Sequence, residues 1–157
     1  MSAAITSLFS MAHLKTFLWF DGTLGEALDF YAEVFDSFTL HSVNRSGPGG
    51  LTVGAEFSIL GYDIMAMGWP GSPPFSSASS LFLSVDGQDE VDRYWDALIA
   101  GGTPGQCGWL TDKFGLSWQV IPTQFGEHTG NPDPVKSSYA WTAMRSMGKI
   151  VIADLYE

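Results

Sequence analysis

The sequence predicts an α+β fold of two βαβββ modules in tandem, followed by a C-terminal helix. Three observations predict it. First, "FLWFDGTLGEALDFYAEVF" from Phe17 and "FLSVDGQDEVDRYWDALI" from Phe82 open alike, and each passes through Asp-Gly into apolar positions at helical spacing. Second, each repeat is followed by a stretch that reads as a hairpin, "VGAEFSILGYDIMAMG" and "WLTDKFGLSWQVIP". Third, Asp133-Pro134 supplies an N-cap and a first-position proline for one more helix.

In the opening strand, alternation puts Lys15, Phe17 and Trp19 on one face and Leu18 and Phe20 on the other. Leu24, Ala27, Leu28, Tyr31, Val34 and Phe35 then form one buried stripe of a helix ending near Asp36, and Glu26, Asp29 and Glu33 form its solvated face. "SFTLHSVNRS" reads as a strand, and the hairpin after it turns at Leu60-Gly61. In the second repeat the stripe is Val91, Tyr94, Trp95, Leu98 and Ile99, with a C-cap signal at Gly101-Gly102. "PGQCGWL" reads as the next strand, and the last hairpin turns at Lys113-Phe114-Gly115. Laying Gly61 on Gly115 sets Met65 opposite Gln119. The modules are placed at about 13–69 and 79–123, with a linker at 70–78 rich in Pro, Gly and Ser, all within one domain. The tail, about 132–157, holds a helix from about Pro134 to Met147 with Tyr139, Ala140, Ala143, Met144 and Met147 on one face. A short apolar segment, Ile150 to Leu155, follows. This helix packs either on its own sheet or on a partner subunit.

Composition narrows the function. Charged residues make up 15% of the 157 and aromatic residues 14%, which points to an apolar pocket or a dimer interface. A net charge of −10 with only seven Lys and Arg argues against nucleic acid and against an anionic membrane surface. One cysteine excludes an intrachain disulfide and a multi-thiolate metal site. The opening "MSAAITSLFSMAHLK" lacks the basic n-region of a signal peptide, and no apolar run approaches a membrane span, so a cytoplasmic protein is expected.

The stretches "FLWFDG", "EALDFYAEVF", "DEVDRYWDAL", "GGTPGQCGWLTDKFGLSWQVIPT" and "MGKIVIADL" carry a resemblance that covers most of the chain. On them the sequence resembles the PhnB-like branch of the vicinal oxygen chelate superfamily, which includes glyoxalase I and the extradiol dioxygenases. Members of the branch often carry the label 3-demethylubiquinone-9 3-methyltransferase. The resemblance implies curled mixed sheets, eight strands enclosing a pocket, and a homodimer, sometimes with exchanged elements. The methyltransferase label has no support in the residues. A methyl-donor site calls for a glycine-rich loop opening a helix in a parallel sheet, whereas Gly47, Gly49 and Gly50 sit in a turn between strands. The linker departs from the family's usual Phe-Asn-Glu run, reading "FSSAS" at Phe75 to Ser79.

Metal-using relatives hold the ion with His and Glu at four inward strand positions. Carried over by the resemblance, the fourth is Gln119, the second Met65, the third Ser80 and the first Thr16 or Lys15. None is anionic or an imidazole, so no metal and no cofactor is expected. Phe17, Trp19, Met65, Met67, Ser80, Phe82 and Gln119 are instead the expected lining of a pocket for a small molecule, with Trp69 to Phe75 over its mouth. Gln119 requires a partner for its amide, either a ligand, water or Ser80.

Other candidates read as structural. His13, His41 and His128 match no metal-binding spacing, though His13 shares a strand face with Lys15. Cys107 sits among apolar residues and glycine, as a small hydrophobe would. Asp112-Lys113 reads as a polar turn, and Glu56 as a strand residue whose carboxylate points inward or to an exposed edge. Three functional readings follow, one of them a fold that serves mainly as a dimerisation scaffold. Another is a metal-free binder of an apolar or aromatic molecule. The third is a metal-dependent lyase, isomerase or dioxygenase with an unrecognised site.

Overall fold

The structure, a computed structural model, describes residues 14–156. The first repeat is β1 (Thr16–Trp19), α1 (Leu24–Val34), β2 (Phe38–Arg45), β3 (Thr52–Ile59) and β4 (Tyr62–Met67). The second is β5 (Leu81–Val85), α2 (Gly87–Leu98), β6 (Thr103–Pro104), β7 (Trp109–Thr111) and β8 (Ser117–Pro122). Each repeat folds into a four-stranded sheet, ordered β1-β4-β3-β2 and β5-β8-β7-β6. In both sheets the first strand lies parallel to the last and the others pair antiparallel. Phe17 is in register with Met65, and Phe82 with Gln119, so the superposition of Gly61 on Gly115 holds in three dimensions. Leu60 and Gly61 both take positive φ, 51° and 79°, as a two-residue hairpin turn requires.

The two sheets do not curl into an enclosure, which corrects the expectation drawn from the resemblance. They are separate four-stranded sheets, with β1 and β2 at the edges of one and β5 and β6 at the edges of the other. The reason lies in which faces are buried. One contiguous core runs through both repeats on the helix side, joining Leu18, Ile64 and Phe57 of the first sheet to Leu83, Val120 and Trp118 of the second. Phe35, just past α1, stacks on Tyr94 of α2 and on Trp118 of β8, with ring centroids 5.4 and 5.5 Å apart. Packing through the helices turns the opposite sheet faces outward, where Phe17, Met65 and Phe82 are 57%, 43% and 61% exposed.

Further corrections concern the connections and the tail. "PGQCGWL" is not one strand: β6 has two residues, and Cys107 and Gly108 follow at positive φ, 59° and 79°. The tail holds two helices rather than one, α3 (Thr123–Thr129) and α4 (Pro134–Ser146), then a 3-10 turn (Ile152–Leu155). His128 therefore lies in a helix; α3 buries only Phe125 and has no apolar stripe to announce it. At α4 the Asp133 carboxylate accepts the Val135 N–H, as its N-cap position predicts. α4 packs on its own chain: Met144 joins Ile121, Phe125, Ile150 and Leu155 in a second core across the outer face of β8. The Cys107 and Gly108 N–H groups donate to Met147 O and Gly148 O, each at 2.8 Å, and tie the tail to the sheet. Among the described residues no helix is long and apolar enough to cross a membrane.

Candidate functional site

The seven residues expected to line one pocket fall into two groups. Phe17 and Trp19 on β1 face outward from the first sheet, in register with Met65 and Met67 on β4. Ser80, Phe82 and Gln119 occupy the outward face of the second sheet, where Trp109 of β7 joins them opposite Gln119. The Gln119 amide Nε2 donates to Ser80 Oγ at 2.8 Å, so the requirement for a partner is met within the chain. Trp19 Nε1 donates to the Trp69 carbonyl at 2.6 Å, which fixes the start of the linker beside β1.

A cleft of about 450 Å³ opens between the tip of the β3–β4 hairpin and the edge strand β5. Phe35, Ile59, Ile64 and Trp118 form its floor. Tyr62 stands on the hairpin side, and Ser80, Phe82 and Ser84 on the β5 side. Of the expected lining only Ser80 and Phe82 contribute; Phe17, Trp19, Met65, Met67 and Gln119 lie elsewhere. The linker does not cover this cleft. Phe75 packs instead on Phe20, with ring centroids 5.4 Å apart. The cleft was not legible because its floor is helix-side core, which strand alternation assigns to packing alone. Four aromatic rings and a few hydroxyls around such a volume suit a small organic molecule.

The four metal positions fail a donor test. Met65 and the Ser80–Gln119 pair supply no charge, and the Ser80 hydroxyl oxygen already accepts the Gln119 amide N–H. The first position, in either register, fares no better. Thr16 Oγ1 hydrogen-bonds Tyr62 OH at 2.7 Å, and Lys15 is a cation whose ammonium pairs with the Glu56 carboxylate and lies 3.9 Å from that of Asp63. Among the described residues no three His, Cys, Asp or Glu side chains gather to hold a metal. His13 lies outside the described residues. The Glu56 side chain points to the outward face, and its hydrogen bond with Lys15 holds its carboxyl below the usual range and raises the Lys15 ammonium. His41 Nε2 lies 3.2 Å from Ser58 Oγ and 3.8 Å from the Asp63 carboxylate.

Sequence reasoning missed Asp112. It opens the hairpin turn, yet it is 3% exposed. Its Oδ2 accepts Tyr31 OH at 2.7 Å and Trp118 Nε1–H at 2.9 Å, and its Oδ1 accepts the N–H groups of Phe114 and Leu116. Burial pushes this carboxyl up, against the pull of its four donors, and burial likewise pushes the Tyr31 phenol well up. The carboxylate pins α1 and the β7–β8 hairpin together around Trp118, which floors the cleft.

Residues 12–121 match the profile of the family described as 3-demethylubiquinone-9 3-methyltransferase. Among solved structures, the PhnB protein from Bacillus cereus is 29% identical over 71% of this chain and 100% of its own, with a TM-score of 0.63. A protein from Pseudomonas aeruginosa is 22% identical over 70% of this chain and 98% of its own, with a TM-score of 0.56. The genomically encoded fosfomycin resistance protein FosX from Listeria monocytogenes, complexed with Mn(II) and sulfate, is 16% identical. It covers 70% of this chain and 91% of its own, with a TM-score of 0.53. The last two likenesses are of fold alone. No curated protein matches the chain.

Proposed function

Because the chain belongs to the PhnB-like family of the vicinal oxygen chelate superfamily, we propose that it binds a small apolar or aromatic molecule, and that it does so in the cleft between the β3–β4 hairpin and β5. The observation that carries this reading is the cleft itself, about 450 Å³ with Phe35, Tyr62, Phe82 and Trp118 around it and no charged side chain in its lining. Phe82 is 61% exposed and Tyr62 54%, so the two rings present open faces at the rim of the cleft. Ser80 and Ser84 on β5 offer hydroxyls that orient it.

The protein acts in this reading as a homodimer in the cytoplasm. The outward face of the first sheet, bearing Phe17 and Met65, is the apolar surface a second copy would cover. The alternative, a metal-dependent lyase, isomerase or dioxygenase, draws no support from the donor set at the four positions. A methyltransferase draws none from the topology. Each sheet has a single parallel pair, and Gly47, Gly49 and Gly50 lie between β2 and β3 rather than at the start of a helix.

Titration with Nile red, a neutral aromatic dye, tests the reading. One dye per chain is expected, with emission shifted to the blue. Affinity should fall about tenfold in Phe82→Ala and in Tyr62→Ala, since each removes a ring face worth roughly 1–2 kcal/mol. Undiminished binding in both variants, with their folds intact, would rule the cleft out.

A further inference from the structure

The family match ends at residue 121, and the segment beyond it forms an open cavity of its own. Its volume is about 290 Å³, and its lining is His128, Asn131, Lys136, Leu155 and Tyr156. The chain as a whole carries a net charge of −10, yet none of these five side chains is acidic. Leu155, 2% exposed, gives the cavity an apolar wall, and the Tyr156 ring meets the His128 ring edge to face at 4.2 Å between centroids.

The polar groups here have hydrogen-bonding capacity that the chain does not use. His128 Nε2 is buried without a hydrogen-bond partner, the single buried side-chain nitrogen or oxygen in that condition among the described residues. Folded chains leave such atoms unpaired rarely, because the lost hydration is not replaced. Asn131 Oδ1 already accepts the Asp133 N–H at 2.9 Å, so its amide NH₂ is the end left to donate. Lys136 adds an ammonium.

We propose that this cavity binds a small organic anion. Its charged end is held by the Lys136 ammonium, the His128 Nε2–H and the Asn131 amide. Its apolar body lies on Leu155 and the Tyr156 ring. Cavities of about 150 Å³ admit benzene, so this volume accommodates a ring bearing a carboxylate. The site is independent of the cleft between the repeats: it lies on the tail, has a cationic side chain in its lining where the cleft has no charged one, and selects a charged ligand where the cleft selects a neutral one.

The test uses the full chain labelled with ¹⁵N-histidine and follows the His128 ring by NMR at constant ionic strength. Benzoate is expected to shift the His128 resonances saturably, with a dissociation constant on the order of 1 mM. Benzamide, the neutral isostere, should bind at least about tenfold more weakly, and acetate, which lacks the body, likewise. Lys136→Gln should weaken benzoate about tenfold with an unchanged melting temperature, since Lys136 is exposed. An absent or linear His128 response to benzoate overturns the proposal. So does an equal response to benzamide or to acetate, which needs only the unsubstituted protein, and so does full-strength benzoate binding in a folded Lys136→Gln chain.

Discussion

Asp112 shows what a single residue does that its neighbours in sequence do not announce. The run "TDKFG" has the composition of an exposed hairpin turn, and the turn is there: Gly115 sits at a φ of 88°. The carboxylate nevertheless turns inward because Tyr31, 81 positions earlier, delivers a phenol to it. No local pattern encodes a partner that far away. Asp112→Asn places an amide NH₂ against donors and is expected to destabilise the fold by about 2–4 kcal/mol, read from urea unfolding. The pH dependence has a definite sign. Burial raises the folded-state carboxyl above its unfolded value, so the folded chain binds the proton more tightly. The contribution of Asp112 is therefore fully present below about pH 4 and is lost as pH rises through the folded-state value. Relative to Asp112→Asn, the unsubstituted protein should lose stability across that window; a difference that grows with pH instead would contradict the assignment. Gln119 is the opposite case. Alternation put it on the face away from Trp118, the need of a buried amide for a partner left a ligand, water or Ser80 open, and the 2.8 Å bond to Ser80 is the one formed.

Secondary-structure elements were legible in proportion to the burial of their own stripe. α1 and α2 each bury a continuous face, and both end two or three residues before the predicted limits. α4 follows its cap and proline to within a residue, Pro134–Ser146. α3 escaped because one phenylalanine is its whole buried surface, and the strand expected through Cys107 fails at two consecutive positive-φ residues. At that point a Cβ on Gly108 would stand 2.5 Å from Ile121 Cδ1 and 2.9 Å from the Val120 carbonyl, at a φ of 79°. The glycine thus lets the tail dock on β8. Gly108→Ala is expected to cost about 2–4 kcal/mol, from the left-handed backbone together with the overpacking. Hydrogen exchange should accelerate first at the Cys107 and residue-108 amides, which bond to the tail. Uniformly faster exchange over both sheets would show that the docking is not local.

At the scale of the whole molecule, the repeat and the strand order could be read, and the absence of closure could not. Both faces of each sheet carry apolar residues: Leu18 and Ile64 point to the helices, Phe17 and Met65 away from them. A period-2 pattern distinguishes the faces without saying what covers the second one. A second copy covering it on the first sheet predicts a dimer by sedimentation velocity at micromolar concentration, and a monomer for Phe17→Asp combined with Met65→Asp, since a charge in a buried apolar interface costs several kcal/mol. A monomeric unsubstituted protein would refute this. The Tyr31–Asp112 bond has one more consequence, for how the polypeptide is made. The first sheet is complete at Met67, but the aromatic cluster of Phe20, Tyr31 and Phe35 gains the last of its cover, and Tyr31 its carboxylate partner, only when Asp112, Phe114 and Trp118 have been synthesised. At translation speeds of about 5–20 residues per second, a nascent chain on the ribosome presents that greasy aromatic wedge for several seconds. During that interval it is a natural client for chaperones.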